Sequence, residues 1–311
     1  MPPYRRAFVI YNPAAGSRRA RRARDVEEAL QHLRQQAETI EAAPTTAPGS
    51  ATELARRACD AGADLVLACG GDGTINEVVN GLAGTSVALA ALPAGTANVL
   101  AHEMGLPLDP VAAAGQLETL EPRRIGLGRV SWAGRSPRYF VSICGAGFDA
   151  HIVYQLLRSG GTRLGMTGYW LAGLRQLGRR PACFRTDVDG RTRECTFVLA
   201  SRTSRYGGGL RLARRAHLLD THWETVMFHS RSPWRYPVYL ASAVAGTLAR
   251  LPDVTFAAGS RLELESNQAA PVRIEVDGEY AGRLPAVVEL APAALTLLMP
   301  RDYIHRRAGY G

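Results

Sequence analysis

The first part of the chain alternates between two hydrophobic patterns. Short apolar runs stand at Arg6-Ala7-Phe8-Val9-Ile10-Tyr11, at Leu65-Val66-Leu67-Ala68-Cys69 and at residues 86–92. Each predicts a buried strand. Between them, apolar residues recur at helical spacing: Val26, Leu30 and Leu33 within residues 18–37, a segment capped by Ser50 or Thr52 that runs to Ala61, and Ile75, Val78, Val79 and Leu82. These predict amphipathic helices. A short strand at residues 38–41 and a helix beginning near Val99 complete the series.

Three of the strands run into loops with polar residues. They are Asn12-Pro13-Ala14-Ala15-Gly16-Ser17, Gly70-Gly71-Asp72-Gly73-Thr74 and Pro93-Ala94-Gly95-Thr96-Ala97-Asn98. Strand–loop–helix alternation of this kind predicts a parallel α/β sheet with ligand loops at the strand carboxyl ends. The glycines permit close approach of the backbone to a ligand. The amides at a helix start favour an anion. Asp72 sits among them as a carboxylate, which suits a metal ion or a hydroxyl better than a bare phosphate.

Beyond about residue 123 the pattern changes. Short alternating runs appear at residues 125–130, 139–143, 183–188, 195–200, 223–228, 261–264, 272–276 and 286–290. Turn dipeptides Asp189-Gly190 and Asp277-Gly278 separate some of them. This half predicts an antiparallel β-sandwich with helical insertions at residues 150–177 and 237–250. Gly160-Gly161 and Gly165 predict a break in the first insertion. The expected organisation is an α/β domain over residues 1–125, a β-sandwich domain over residues 126–300 and a tail at 301–311.

Composition narrows the chemistry. The chain has 311 residues, of which 46% are hydrophobic, and a formal net charge of +9. All 37 basic residues are Arg. The absence of Lys excludes a Walker-A lysine, a Schiff-base lysine and a protein-kinase-type lysine. Phosphate chemistry here must use Arg, backbone amides and a metal. The Arg usage fits a GC-rich genome and is not read as a nucleic-acid signature, so no nucleic-acid partner is expected. The basic excess fits an anionic nucleotide or an anionic membrane surface. Arg18, Arg19, Arg21, Arg22 and Arg24 crowd one helix start. They oppose the helix dipole there, a cost that a nearby anion would relieve. Cys59, Cys69, Cys144, Cys183 and Cys195 are widely spaced and form no CxxC pair, which argues against zinc and disulfide frameworks. A reducing cytoplasm is the simple reading. No signal peptide is evident, and residues 237–249 are too few to span a bilayer.

The ordered motifs resemble the diacylglycerol kinase catalytic-domain family, in its bacterial soluble lipid kinase branch, which is related to sphingosine kinases. They are Asn12-Pro13-Ala14-Ala15-Gly16, Gly70-Gly71-Asp72-Gly73-Thr74 with Asn76-Glu77-Val78, and Leu92-Pro93-Ala94-Gly95-Thr96-Ala97-Asn98-Val99-Leu100-Ala101. Tyr139-Phe140, Gly145-Ala146-Gly147-Phe148-Asp149-Ala150, Tyr206-Gly207-Gly208-Gly209 and Val276-Asp277-Gly278-Glu279 follow. The resemblance implies a nucleotide-binding α/β domain, a β-sandwich domain and a cleft between them where ATP meets a lipid hydroxyl. It puts ATP phosphates against Asn12, Pro13, Ala14, Ala15, Gly16 and the segment Gly70, Gly71, Asp72, Gly73, Thr74. Asn76 and Glu77 belong to the same motif. Thr45 or Thr46, and also Thr96, resemble nucleotide contacts. Asp72 would help hold a catalytic Mg²⁺. Glu279, with Asp277 beside it, resembles the group that accepts the proton of the attacking hydroxyl; which of the two is the base stays open. Taken alone, Asp277-Gly278 reads as a plain hairpin turn, as Asp189-Gly190 does.

One segment departs from the family pattern. The resemblance implies a structural Mg²⁺ held near an Asp-Gly pair, but here Asp220 is followed by Thr221 and His222. The loop before Tyr206 also lacks the family's usual Asn and reads Ser201-Arg202-Thr203-Ser204-Arg205. The first departure puts the second metal in question, and the second implies a small change in the cleft; His217 and His222 beside Asp220 are a thin signal for a softer metal. The leading expectation is ATP-dependent phosphoryl transfer to a membrane lipid such as diacylglycerol. A kinase of NAD or another soluble alcohol and a non-catalytic nucleotide- or lipid-binding relative are the alternatives. Residues 154–180 combine apolar and Arg positions that suit peripheral contact with an anionic inner membrane face, or else a helix packed on the β domain. A homodimer is an expectation without a motif behind it.

Overall fold

The computed structural model describes residues 2–16, 21–147, 181–207, 210–266 and 271–306. Arg18, Arg19, Phe148-Asp149-Ala150, Gly208-Gly209 and the expected insertion and membrane-facing segment at 150–180 lie outside the described residues. The chain forms two compact units. One holds Met1–Leu127 and Pro292–Gly311, the other Gly128–Ala291.

The first unit runs β1 (Tyr4–Tyr11), α1 (Arg22–Leu33), β2 (Ala37–Pro44), α2 (Ser50–Asp60), β3 (Leu65–Gly70), α3 (Asp72–Leu82), β4 (Ala88–Pro93), α4 (Val99–Met104) and α5 (Pro110–Gly115). The chain leaves this unit within β5 (Leu120–Trp132) and returns within β16 (Ala286–Pro300), which leads into α7 (Arg301–His305). The strand order β2-β1-β3-β4-β16 is parallel throughout. Its central strands β3 and β4 are buried at every position, as their unbroken apolar sequences demand. Residues 301–306 pack on this unit: Tyr303 is buried and donates its hydroxyl to Glu103 at 3.1 Å.

The second unit adds β6 (Arg135–Phe140), β7 (Ile143–Gly147), β8 (Phe184–Val188), β9 (Arg191–Cys195), β10 (Phe197–Ser201), β11 (Trp223–Phe228), α6 (Arg235–Ala245), β12 (Val254–Gly259), β13 (Arg261–Glu265), β14 (Arg273–Val276) and β15 (Glu279–Arg283). One antiparallel sheet has the order β12-β11-β10-β7-β14-β15. A second carries β16-β13-β8-β9. Cys144, Val198, Trp223 and Ile274 from the first sheet share a core with Phe184, Val188, Leu262 and Val288 from the second. That arrangement is the expected sandwich.

Strand β10 shows why a third layer exists. Val198 and Ala200 face the sandwich core, whereas Phe197 and Leu199 face a second cluster with Tyr239 and Ala243 of α6. The two-residue period of a strand thus buries both faces. The helix is anchored by Asp253, which accepts from Arg235 Nε at 2.7 Å and Tyr239 Oη at 2.6 Å. The Arg235 hydrogen bond, above the Tyr239 one, holds the Asp253 carboxyl down at about 2.

The folded value lies below the unfolded one, so this stabilisation is complete above about pH 4 and is lost as pH falls toward 2. Asp253→Asn should cost about 1 kcal/mol above about pH 4 and progressively less below it, measured by urea unfolding across that range.

Candidate active site

In the first unit, sequence-predicted residues gather where β1, β3 and β4 end. The chain leaves β1 for a neighbour on one side and reaches β3 on the other. Ligands of open parallel sheets bind at such a reversal, outside the strand carboxyl ends. Asn12 follows β1 directly. Its backbone N–H donates to Cys69 O at 2.9 Å, and its side chain donates to Thr74 Oγ1 at 3.3 Å. Its own Oδ1 accepts from Ala14 N at 2.8 Å. One side chain therefore shapes the first loop and ties it to the second.

The second and third loops meet backbone to backbone. A Cβ on Gly95 would stand 2.5 Å from Gly71 Cα and 2.9 Å from Asn98 Oδ1, closer than real contacts allow. Gly16, at φ +63°, comes so close to the third loop that its Cβ would lie 2.4 Å from Ala94 O. Asn98 adopts φ +45° and clasps Gly95, accepting from its N–H at 2.9 Å and donating to its carbonyl at 3.1 Å. Asp72 opens α3, and its Oδ1 accepts the N–H of Val99 at 2.7 Å. The carboxylate thereby also holds the start of α4.

The remaining sequence-predicted residues divide. Pro13 and Ala14 are exposed beside Asn12, whereas Ala15 is buried. Gly70 and Gly73 frame Asp72, and Thr96 is exposed on the third loop. Thr45 donates its N–H to Tyr11 O at 2.8 Å and so lies beside the end of β1. Thr46 instead donates its N–H to Ser50 Oγ at 3.1 Å, in the turn before α2. Asn76 is fully buried in α3. Glu77 points away from the loops. Its carboxylate accepts from Gly49 N at 2.8 Å and Ala51 N at 3.0 Å, capping α2.

The second unit holds the other carboxylates. Asp277 and Gly278 have φ +47° and +82° between the paired residues Val276 and Glu279. Asp189 and Gly190 have φ +47° and +85° between Val188 and Arg191. Both are two-residue hairpins of the same form. What separates them is burial. Asp277 is 7% exposed, and its carboxylate accepts from Val141 N at 3.0 Å, Ser142 N at 3.0 Å and Ile143 N at 2.8 Å. Glu279 is half-exposed and ion-paired to Arg138. Glu275, which the sequence reading missed, is buried and accepts from Gly278 N at 3.0 Å. Burial, reinforced by the charges of Glu275 and Asp277, pushes the Cys144 thiol well above its ordinary value. It therefore stays protonated and is no nucleophile.

The two expected metal positions differ in fit. Asp72 is a half-exposed carboxylate at the first turn of an 11-residue helix, among glycine-loop amides, and this setting fits a phosphate-bound Mg²⁺. Asp220 is 5% exposed, but the carbonyls around it are taken. Arg202 Nη1 donates to Asp220 O at 2.8 Å and His222 O at 3.0 Å, and Nη2 donates to Leu218 O at 2.5 Å. That arrangement does not fit a second Mg²⁺. Among the described residues no group of three or more His, Cys, Asp or Glu could hold a metal ion.

Comparison with known proteins identifies the family. The profile described as "Diacylglycerol kinase catalytic domain" matches residues 6–130, and the "YegS C-terminal NAD kinase beta sandwich-like domain" matches residues 142–299. A diacylglycerol kinase of Mycobacterium tuberculosis is 31% identical over 260 residues, covering 81% of this chain and 82% of that one. The chain belongs to the diacylglycerol kinase family. A diacylglycerol kinase of Bacillus subtilis is 29% identical over 304 residues, covering 96% of this chain and 97% of that one. A crystal structure of a Bacillus anthracis diacylglycerol kinase shares the fold, with a TM-score of 0.77, 21% identity and coverage of 96% of this chain and 98% of that one.

As a member of this family the chain is a phosphotransferase with an alcohol acceptor. Besides Glu275, two residues had no role assigned from sequence. Asn98 lies inside a matched motif, and its tolerance of the left-handed region was the available signal. Arg202 carried no signal beyond the missing Asn, because one Arg among 37 reads as surface charge.

The division between Asp277 and Glu279 is testable. Asp277→Asn turns one acceptor oxygen into a donor facing backbone N–H groups and should destabilise the protein by about 2 kcal/mol or more. Glu279→Gln loses only a half-exposed ion pair and should cost less than about 1 kcal/mol. Urea unfolding of both variants reads the difference.

Proposed function

We propose that the protein is an ATP-dependent lipid kinase. It transfers the γ-phosphoryl group of ATP to a hydroxyl of a membrane lipid such as diacylglycerol. The observation that carries this reading is the convergence of three strand-end loops through Asn12 to Thr74, Gly71 to Gly95 and Asp72 to Val99. Backbone amides of these loops bind the phosphates, as phosphoryl transfer needs positioning and charge neutralisation above all. Thr45 and Thr96 contribute to the nucleotide side. Mg²⁺, when bound, supplies neutralising charge, and Asp72 is the residue that would hold it. Glu279 accepts the proton of the lipid hydroxyl, because its carboxylate is half-exposed while that of Asp277 is engaged by backbone amides. Arg138 is ion-paired with Glu279 and holds its carboxylate in place.

Purified protein with labelled ATP, Mg²⁺ and a panel of lipids in mixed micelles should label a diacylglycerol-type lipid. Asp72→Ala and Glu279→Gln should each lower kcat by about 100-fold or more. Label on NAD or another soluble alcohol and on no lipid overturns the reading. So does ATP binding without transfer to any acceptor.

A lipid substrate requires contact with a membrane surface, and α6 supports that contact. Trp234, Val238 and Val244 are 69%, 39% and 72% exposed along one side of it. Residues 230–250 contain Arg231, Arg235 and Arg250 and no acidic residue. Exposed Arg211, Arg214 and Arg215 lie in the turn packed against α6, and Arg214 donates to Gly246 O at 3.1 Å. An apolar stripe with a Trp and Arg flanks suits an anionic interface. No helix of the described residues is long and apolar enough to cross a membrane. Sedimentation should recover the protein with phosphatidylglycerol vesicles and much less with phosphatidylcholine vesicles, and Val244→Asp should reduce the bound fraction several-fold. Equal recovery with both vesicles overturns this, as does a dimer that Val244→Asp dissociates, which would assign the face to a second copy.

A further inference from the structure

The structure joins the two departures from the family pattern. Arg202 stands in the loop before Tyr206, where the resemblance implies an Asn, and Thr221 follows Asp220, where it implies a Gly. The Arg202 guanidinium donates to the carbonyls on either side of Thr221, those of Asp220 and His222, and also to Leu218. We infer that Arg202 is a built-in replacement for the structural cation of this loop, so that the fold of residues 217–222 does not depend on a divalent metal.

Three carbonyl oxygens that turn toward one point repel each other and need a cation or donors between them. A divalent ion would meet that need with oxygen ligands at close range. A guanidinium meets it with a planar fork of five N–H donors and a charge that never titrates. Arg202 is 0% exposed, and a buried charge persists only where partners compensate its lost hydration. Here those partners are backbone dipoles. The position is fixed at its root as well, since Arg202 N donates to Ser142 O at 2.8 Å. Ser201 Oγ then donates to Thr203 O at 2.6 Å and Thr203 Oγ1 to Arg205 O at 3.1 Å, turning the chain after β10.

The loss of glycine is consistent with the same exchange. No residue from 216 to 224 adopts positive φ, so Thr221 sits there without backbone strain. Asp220 and Trp223 are both buried. The loop is thus closed over the side chain that organises it, with only Thr221 and His222 exposed.

The test uses the full chain without nucleotide and reads stability and metal count, so its outcome is independent of the kinase assay. Wild-type melting should be the same in EDTA and in excess Mg²⁺. Equilibrium dialysis against Mn²⁺ should find no ion that Asp220→Asn removes. Arg202→Asn should lower Tm by roughly 6 °C or more, with Mg²⁺ restoring part of the loss, and Arg202→Lys should fall less far. If Arg202→Asn does not fold, the two wild-type measurements decide. A Mn²⁺ ion lost in Asp220→Asn, an EDTA-dependent wild-type Tm, or an Arg202→Asn Tm equal to that of the wild type overturns the inference.

Discussion

The second unit hangs on one buried carboxylate. Asp277 accepts three consecutive backbone N–H groups from Val141, Ser142 and Ile143, and its own N–H donates to Ile143 O at 2.9 Å. The junction between β6 and β7 has no regular strand partner there, so its amides would otherwise be buried without acceptors. A single side chain supplies them. The hairpin that carries Asp277 is thereby clamped to the centre of its sheet. Ser142 then passes the constraint on, because its carbonyl accepts from Arg202 N, and the Arg202 side chain holds residues 218–222. Glu279 is the first residue after this clamp. Its position is set by Asp277, although the two carboxylates have different work.

The first unit solves an analogous problem with glycine. Three loops can lie against one another only if little projects from them, and the approach of Gly95 to Gly71 leaves no space for a Cβ. Asp72 then serves two ends. As the first residue of α3 it complements the positive end of that helix, and through Val99 N it orders the start of α4. A carboxylate so held is aimed before any ligand arrives, and this is the condition for electrostatic preorganisation. Asn12 and Asn98 perform the equivalent ordering in the flanking loops.

The strands of the parallel sheet were legible because their apolar runs are unbroken, and burial on both sides leaves no other reading for six-residue segments such as β3 and β4. The glycine loops were legible because composition between a strand and a helix is a local signal. Glu77 has a structural contact that the local signal could not show: its carboxylate caps the start of α2. The return of β16 to the first sheet could not be read, since its pairing of Thr296 with Ala88 spans some two hundred residues and leaves no local trace. Asp277 and Asp189 show the limit most plainly. The same dipeptide makes the same turn at both places, and only the depth of the surrounding sheet makes one of them a buried anchor.

The absence of Lys gives Arg202 a wider meaning. An ammonium is a compact, strongly hydrated charge, and burying it beneath a closed loop would shift it toward its neutral form. A guanidinium keeps its charge, spreads it over a plane and reaches several carbonyls at once. In a chain whose every cation is Arg, an internal cation of this kind needs no change of chemistry, only the burial of one side chain. Order in residues 218–222 then comes from a covalently attached cation, the guanidinium of Arg202.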